Sequence, residues 1–202
     1  MKTPKLNLTR KEFDKVYEPC EDSFLFLDLL EQEIGYLKEL DPLKILEVGS
    51  GSGIIITFIA QLLGNDRCYF STDINPFACK ATLKTTILNN VNVDIINTKF
   101  IDGINQKFDL CLFNPPYVVT TNEEITGDLQ RSWAGGIDGR VVIDEFLSRL
   151  DDITRVCYLL VINENNPNEI MEIMNSRGWK SEKVIYRAVG WEGQSILKFV
   201  KQ

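Results

Sequence analysis

The chain has 202 residues, 44% of them hydrophobic and 25% charged, proportions that fit one globular domain with a sizeable core. It contains no histidine, which excludes Ser-His-Asp hydrolysis and makes a zinc site within the chain improbable. The formal charge of −7 disfavours duplex DNA, whose binding draws on Lys and Arg against phosphates, and better suits a basic protein substrate.

Met1 to Lys5 lacks the apolar core and cleavage site of a secretory signal, and no apolar run is long enough to span a bilayer. These features predict a cytoplasmic protein, with a nuclear visit left open. The five cysteines (Cys20, Cys68, Cys79, Cys111 and Cys157) form no CxxC pair and read as buried free thiols.

Along the chain, segments of two kinds alternate. Residues 21–37 read as a helix whose apolar stripe (Phe24, Leu27, Leu30, Ile34, Leu37) faces the core. Residues 43–48 form a buried strand, 54–63 a helix, 67–72 a second strand, and 76–89 a helix with Pro76 in first position. Strands follow at 92–98 and 108–113, a helix at 139–150, a strand at 155–162 and a helix at 166–177. Residues 180–187 and 194–201 close the chain as two antiparallel strands. The alternation predicts an α/β fold with a mainly parallel, doubly wound sheet in a single domain spanning 1–202, which includes a short N-terminal helical extension.

Two segments carry chemistry. Glu47-Val48-Gly49-Ser50-Gly51-Ser52-Gly53 joins the first strand to the first helix, where glycines let a ligand approach the backbone closely. Asp73 ends the second strand, placed to accept hydrogen bonds from both ribose hydroxyls of a nucleoside cofactor. This spacing alone leaves S-adenosylmethionine, NAD and a purely structural turn open. The GxGxG pattern departs from the dinucleotide fingerprint, and Glu47 is an acid suited to the amino or sulfonium region of a methyl donor.

The second segment is Asn114-Pro115-Pro116-Tyr117, directly after the apolar run 108–113. Consecutive prolines cannot continue a strand, so the Asn114 side chain and the Pro115 carbonyl are held rigidly at its C-terminal edge, where open α/β sheets bind ligands. Two acceptors and an aromatic ring suit a planar NH2 group, as in methylation of an amide or exocyclic amine. An ordinary Asn-Pro turn is the alternative.

Together these residues resemble the HemK-like class I methyltransferases that modify the GGQ glutamine of translation termination factors, in their eukaryotic and archaeal branch. Val16-Tyr17-Glu18-Pro19-Cys20-Glu21-Asp22-Ser23 is similar to the family's Y-x-P-x-x-D-[ST] segment. Glu47 to Gly53 matches its glycine loop, Asp73-Ile74-Asn75-Pro76 its ribose-binding acid, and Asn114 to Tyr117 its catalytic NPPY. Ser132-Trp133-Ala134-Gly135-Gly136-Ile137-Asp138-Gly139-Arg140 resembles the branch's W-A-G-G-x-x-G-R segment, and Ser195 to Phe199 its closing strand.

The resemblance implies a Rossmann-like, seven-stranded sheet with an antiparallel C-terminal strand pair, and S-adenosylmethionine as cofactor with no metal in this chain. It implies catalytic roles for Asn114, Pro115 and Tyr117, and cofactor contacts from Tyr17, Glu47, Gly49, Gly51, Gly53, Asp73, Ile74, Phe100 and Asn114. Substrate contacts fall to Asn114, Pro115, Pro116, Tyr117, Trp133 and Arg140; for Trp133, core packing is equally open. Asp22 is placed either at the cofactor lid or as a helix cap.

The resemblance also implies a heterodimer with a small zinc-binding activator protein, added along the apolar edge strand near residues 91–96, and a translation termination factor as substrate. Two departures stand out. Lys99 occupies the place of an acid that family members carry near the adenine, with Asp102 three residues on, and the N-terminal helical domain of bacterial relatives is lacking. An adenine-N6 DNA or RNA methyltransferase, a protein-lysine methyltransferase and a non-catalytic cofactor-binding scaffold are the alternative functions.

Overall fold

Strand pairing gathers the C-terminal ends of the central strands on one edge. The protein is described by a computed structural model over residues 2–120, 134–190 and 192–202. Its strands are β1 (Lys44–Val48), β2 (Cys68–Asp73), β3 (Asp94–Asn97), β4 (Leu110–Phe113), β5 (Val118–Val119), β6 (Ala134–Gly136), β7 (Val156–Ile162), β8 (Trp179–Val189) and β9 (Glu192–Lys201). Seven of these form one sheet in the order β3-β2-β1-β4-β7-β9-β8. Neighbours from β3 through β7 pair in parallel, and β9 runs antiparallel to both β7 and β8. The doubly wound expectation and the antiparallel closing pair are both borne out. The short β5 and β6 pair separately, just after the NPPY turn.

The helices are α1 (Arg10–Phe13), α2 (Glu21–Gln32), α3 (Ile34–Leu40), α4 (Ile54–Leu63), α5 (Pro76–Leu88), α6 (Val141–Ser148), α7 (Leu150–Ile153) and α8 (Pro167–Ser176). Asn75 caps α5 by accepting the Phe77 N–H at 2.9 Å, with Pro76 in the first turn as expected. β7 is buried along its whole length, so its seven apolar residues read as a continuous run rather than an alternating one. Among the described residues, no helix is long and apolar enough to cross a membrane.

Four expectations are corrected. The helix predicted over 21–37 is two helices, broken at Glu33. The Glu33 carboxylate accepts hydrogen bonds from Lys198 Nζ at 2.6 Å and the Tyr158 hydroxyl at 2.7 Å, two residues of distant strands. Phe24, assigned to the core, is 42% exposed, whereas Leu25, Phe26, Leu29 and Leu30 are fully buried. The reason is rotational: the inward face of α2 is the one that carries Asp22, and Phe24 lies two residues round from it. The helix predicted over 139–150 contracts to α6, because Gly139 belongs to a 3-10 turn at Ile137–Gly139. Cys111 and Cys157 are buried, but Cys20 and Cys79 are only half-buried and Cys68, first in β2, is exposed.

Gly53 begins α4 with φ +78°, and a Cβ there would stand 2.7 Å from the Thr82 Cα of α5. The glycine therefore lets two helices approach each other, and a left-handed backbone adds strain to any replacement. Gly53→Ala should lower stability by about 1–3 kcal/mol in urea unfolding.

Candidate active site

Strand order reverses between β1 and β4, and open α/β sheets bind ligands at such a switch point. Val48 and Phe113, the last residues of β1 and β4, are register partners, so the glycine loop and the NPPY turn leave the sheet side by side. On the other flank Val48 pairs with Thr72, and Asp73 with Asn97, which brings the ends of β2 and β3 to the same edge. A cavity of about 590 Å³ opens there.

Tyr17, Glu47, Gly49, Gly51, Asp73, Ile74 and Phe100 all line it, as do Asn114, Pro115, Pro116 and Tyr117. Asp73 is fixed at both oxygens: Oδ2 accepts the Gly51 N–H at 3.0 Å and Oδ1 the Asn75 N–H at 2.8 Å. Burial raises its pKa, while these two N–H donors oppose the rise. Asn97 steadies the same corner, its Nδ2 donating to the carbonyls of Asp73 at 2.8 Å and Ile74 at 3.0 Å. The Phe100 ring stands edge-on to Phe113 and Phe146, with centroids at 6.1 Å and 5.7 Å.

Glu47 is almost wholly buried, and its Oε2 accepts the Ile56 N–H at 2.9 Å. That bond satisfies one of the free donors in the first turn of α4, which has no side-chain cap of its own. Burial pushes the Glu47 carboxyl well above its ordinary range, against the pull of the Ile56 bond. The fold thus favours the neutral acid, so its contribution to stability is full below the unfolded-chain pKa and is lost as pH rises through the folded value. Glu47→Gln keeps the acceptor and removes the titration. Its urea midpoint should fall less than the parent's as pH rises above the ordinary carboxyl range.

The geometry of Asn114 decides what the cavity can do. Its Nδ2 donates to Asp22 Oδ2 at 3.0 Å, and the Tyr117 hydroxyl donates to the same oxygen, also at 3.0 Å. Asp22 itself is only 2% exposed. The one carboxylate oxygen accepts from both, which sets the amide with its NH2 toward Asp22 and Oδ1 turned away. That Oδ1 is buried and has no hydrogen-bond partner among the described residues. A buried acceptor without a donor costs about 1–3 kcal/mol, and the cost is removed by a ligand bringing an N–H. Burial and the Asp22 charge hold the Tyr117 phenol far above its ordinary range, so it remains a donor.

Residues 23–131 match the family profile described as methyltransferase small domain. The chain is 41% identical over 200 residues to the human methyltransferase HEMK2, covering 95% of this chain and 92% of that one. It is 35% identical over 215 residues to the eRF1 methyltransferase catalytic subunit mtq2 of Schizosaccharomyces pombe, covering 96% and 93%. The chain belongs to the eukaryotic/archaeal-type release factor glutamine methyltransferases. Its fold is correspondingly similar to that of Mtq2 from E. cuniculi, solved as an Mtq2-Trm112 complex responsible for methylating the eRF1 termination factor. The TM-score is 0.74 at 28% identity, over 93% of this chain and 99% of that one.

Within this methyltransferase, two of the sequence-assigned residues do not reach the cavity. Gly53 is absent from its lining because it is committed to helix packing against Thr82. Arg140 opens α6 with its guanidinium held by Asp144 at 2.8 Å and Glu169 at 2.6 Å, joining α6 to α8. Trp133 lies outside the described residues. Lys99, in place of the family's acid, lines the cavity and is ion-paired to Glu145 at 2.5 Å. Asp102 turns away to pair with Arg149 at 2.7 Å. The residue that sequence reading most underweighted is Asp22. Cys20, not Asp22, is the N-cap residue of α2, and the Asp22 carboxylate instead binds Asn114 and Tyr117.

Proposed function

We propose that this methyltransferase transfers a methyl group from S-adenosylmethionine to the side-chain amide nitrogen of the GGQ glutamine in a class 1 translation termination factor. The observation that carries this reading is the buried, unpartnered Oδ1 of Asn114, held in place by Asp22 at the switch point of the sheet. The cavity residues fit the cofactor. Gly49 and Gly51 would allow a close backbone approach, Asp73 keeps lone pairs for ribose hydroxyls, Ile74 and Phe100 would flank the adenine, and Tyr17 and Glu47 would serve the methionine end. When bound, S-adenosylmethionine supplies an electrophilic methyl group.

The protein's own task is to make a poor nucleophile reactive. An amide nitrogen's lone pair is delocalised into its carbonyl. Asn114 Oδ1 and the Pro115 carbonyl each accept one N–H of the glutamine, which aims the lone pair out of the amide plane. The same acceptors stabilise the positive charge that develops on nitrogen. Tyr117 and Pro116 pack beside the amide. No side-chain base is required, since the surplus proton leaves after transfer.

We further assign a small zinc-binding activator protein to the free edge of β3, the zinc belonging to that partner. Among the described residues β3 has a neighbour only in β2, and Val91, Val93, Ile95 and Ile96 on and beside it are half-buried rather than covered. Leu83 and Ile87 on the adjoining α5 are exposed apolar residues one turn apart. A strand added there would pair the open backbone and cover the apolar side chains.

The test is co-expression with the activator, followed by labelled S-adenosylmethionine with either a termination factor or adenine-containing DNA, and mapping of the label by mass spectrometry. Label on the GGQ glutamine supports the proposal. Label confined to DNA or to lysine moves the assignment to those substrates, and cofactor binding without label makes the chain a scaffold.

A further inference from the structure

Asn165 takes no part in the cavity wall, yet it is fully buried and every polar end of its side chain is used. Its Nδ2 donates to the carbonyl of Tyr117 at 3.0 Å and to the carbonyl of Asp138 at 3.0 Å. Its Oδ1 accepts the Ile162 N–H at 2.8 Å, at the end of β7. One amide therefore ties three segments together: the NPPY turn after β4, the 134–140 segment and the 3-10 turn Asn163–Asn165 after β7.

The fit around this contact is close. Gly139 has φ +65°, and a Cβ on it would lie 1.9 Å from the Tyr117 carbonyl oxygen and 2.5 Å from Asn165 Nδ2. No side chain can be accommodated there, so the Tyr117 carbonyl is pinned between the Gly139 backbone and the Asn165 amide. Just beyond, the Thr120 N–H donates to the Gly136 carbonyl at 3.1 Å and the Gly136 N–H to Thr120 Oγ1 at 3.0 Å. The NPPY turn and the 134–139 segment are joined edge to edge.

We propose that Asn165 is a positioning residue for methyl transfer. It holds the NPPY turn from behind, so that the Asn114 and Pro115 acceptors and the 134–139 segment act as one rigid wall. The inference rests on the reading of Asn114 and Pro115 as substrate acceptors. A buried amide is suited to this role because it offers two donors and one acceptor in a fixed plane, and here all three are engaged. Displacement of a reacting group by about an ångström can cost on the order of 100-fold in rate, so a residue without substrate contact can govern turnover.

The experiment compares Asn165→Asp, which keeps the shape but replaces the donor by an acceptor, with Asn165→Ala. Both are made in the full chain with its partner co-expressed, and competent protein is counted by stoichiometric S-adenosylhomocysteine binding. Turnover per competent site on the termination factor should fall roughly 10- to 100-fold in Asn165→Asp, at least as far as in Asn165→Ala. Cofactor Kd should stay within about twofold of the parent. In the S-adenosylhomocysteine complex, the backbone amides of 118–120 should exchange hydrogen faster in both variants.

A role in filling space alone predicts the reverse order, with Ala worse than Asp, and would overturn the proposal. So would faster exchange with undiminished turnover. Unchanged exchange at 118–120 would remove the clamp whatever the substrate proves to be. Failure of the parent to methylate the glutamine would sink the functional reading alone, with the exchange measurement still deciding the clamp. Gly139→Ala, which displaces the Tyr117 carbonyl from the opposite side, supplies the same readouts if the Asn165 variants do not accumulate.

Discussion

Asn114→Ala should lower turnover roughly 100- to 1,000-fold while cofactor Kd stays within about threefold of the parent. The separation follows from the two ends of the side chain. Oδ1 is the buried acceptor without a partner, and Nδ2 only anchors the group to Asp22. Truncation therefore removes an interaction that gains strength as positive charge develops on the substrate nitrogen, and ground-state cofactor contacts are largely left alone. Asp73→Ala should divide the other way. Both its oxygens are already aligned by backbone N–H groups of Gly51 and Asn75, so its loss removes ribose acceptors and loosens the glycine loop together. A cofactor affinity roughly tenfold weaker is expected by calorimetry. Equal cofactor affinity in the two variants would refute this division of roles.

The parts of the molecule that were legible in the sequence are those set by local pattern. The apolar runs of β1, β4 and β7 and the Pro76 start of α5 need only neighbouring residues to declare themselves. The switch-point cavity was legible for the same reason: the glycine loop, Asp73 and NPPY each end a strand, and a parallel sheet must bring such ends to one edge. What escaped was set by partners far along the chain. Glu33, at the break between α2 and α3, is bound by Lys198 and Tyr158, and the buried Asn165 by Tyr117 and Asp138. Arg140, given to the substrate by a family motif, is also ion-paired to Asp144 in α6 and to Glu169 in α8, and the second of these partners lies far along the chain. The exposure of Ile87 and Leu83 belongs to the same class, since nothing in α5's own residues distinguishes a face turned to the core from one left exposed.

Asp22→Asn should produce the second large loss, roughly 10- to 100-fold in turnover, in protein that still folds and binds cofactor. The substitution keeps the shape of the side chain but cannot keep its hydrogen bonds. Oδ2 accepts from Asn114 Nδ2 and the Tyr117 hydroxyl, and Oδ1 accepts the Ser23 N–H at 2.6 Å. Whichever way a new amide is turned, its NH2 confronts a donor. Facing Ser23, it opposes a backbone N–H. Facing the site, it drives the Asn114 amide to flip, which carries Oδ1 away from the substrate and puts a donor where the glutamine needs an acceptor. Tyr117→Phe removes only one of the donors to Asp22 and leaves the Asn114 anchor, so its effect should be the smaller. The cycle that decides the matter combines the changes. Because Asp22 acts through Asn114, Asp22→Asn should add little to the loss already present in Asn114→Ala, a coupling that independent sites would not show. Additive losses would mean that Asp22 contributes by some route other than orienting the amide, with direct contact to the cofactor or the substrate as the first alternative to measure.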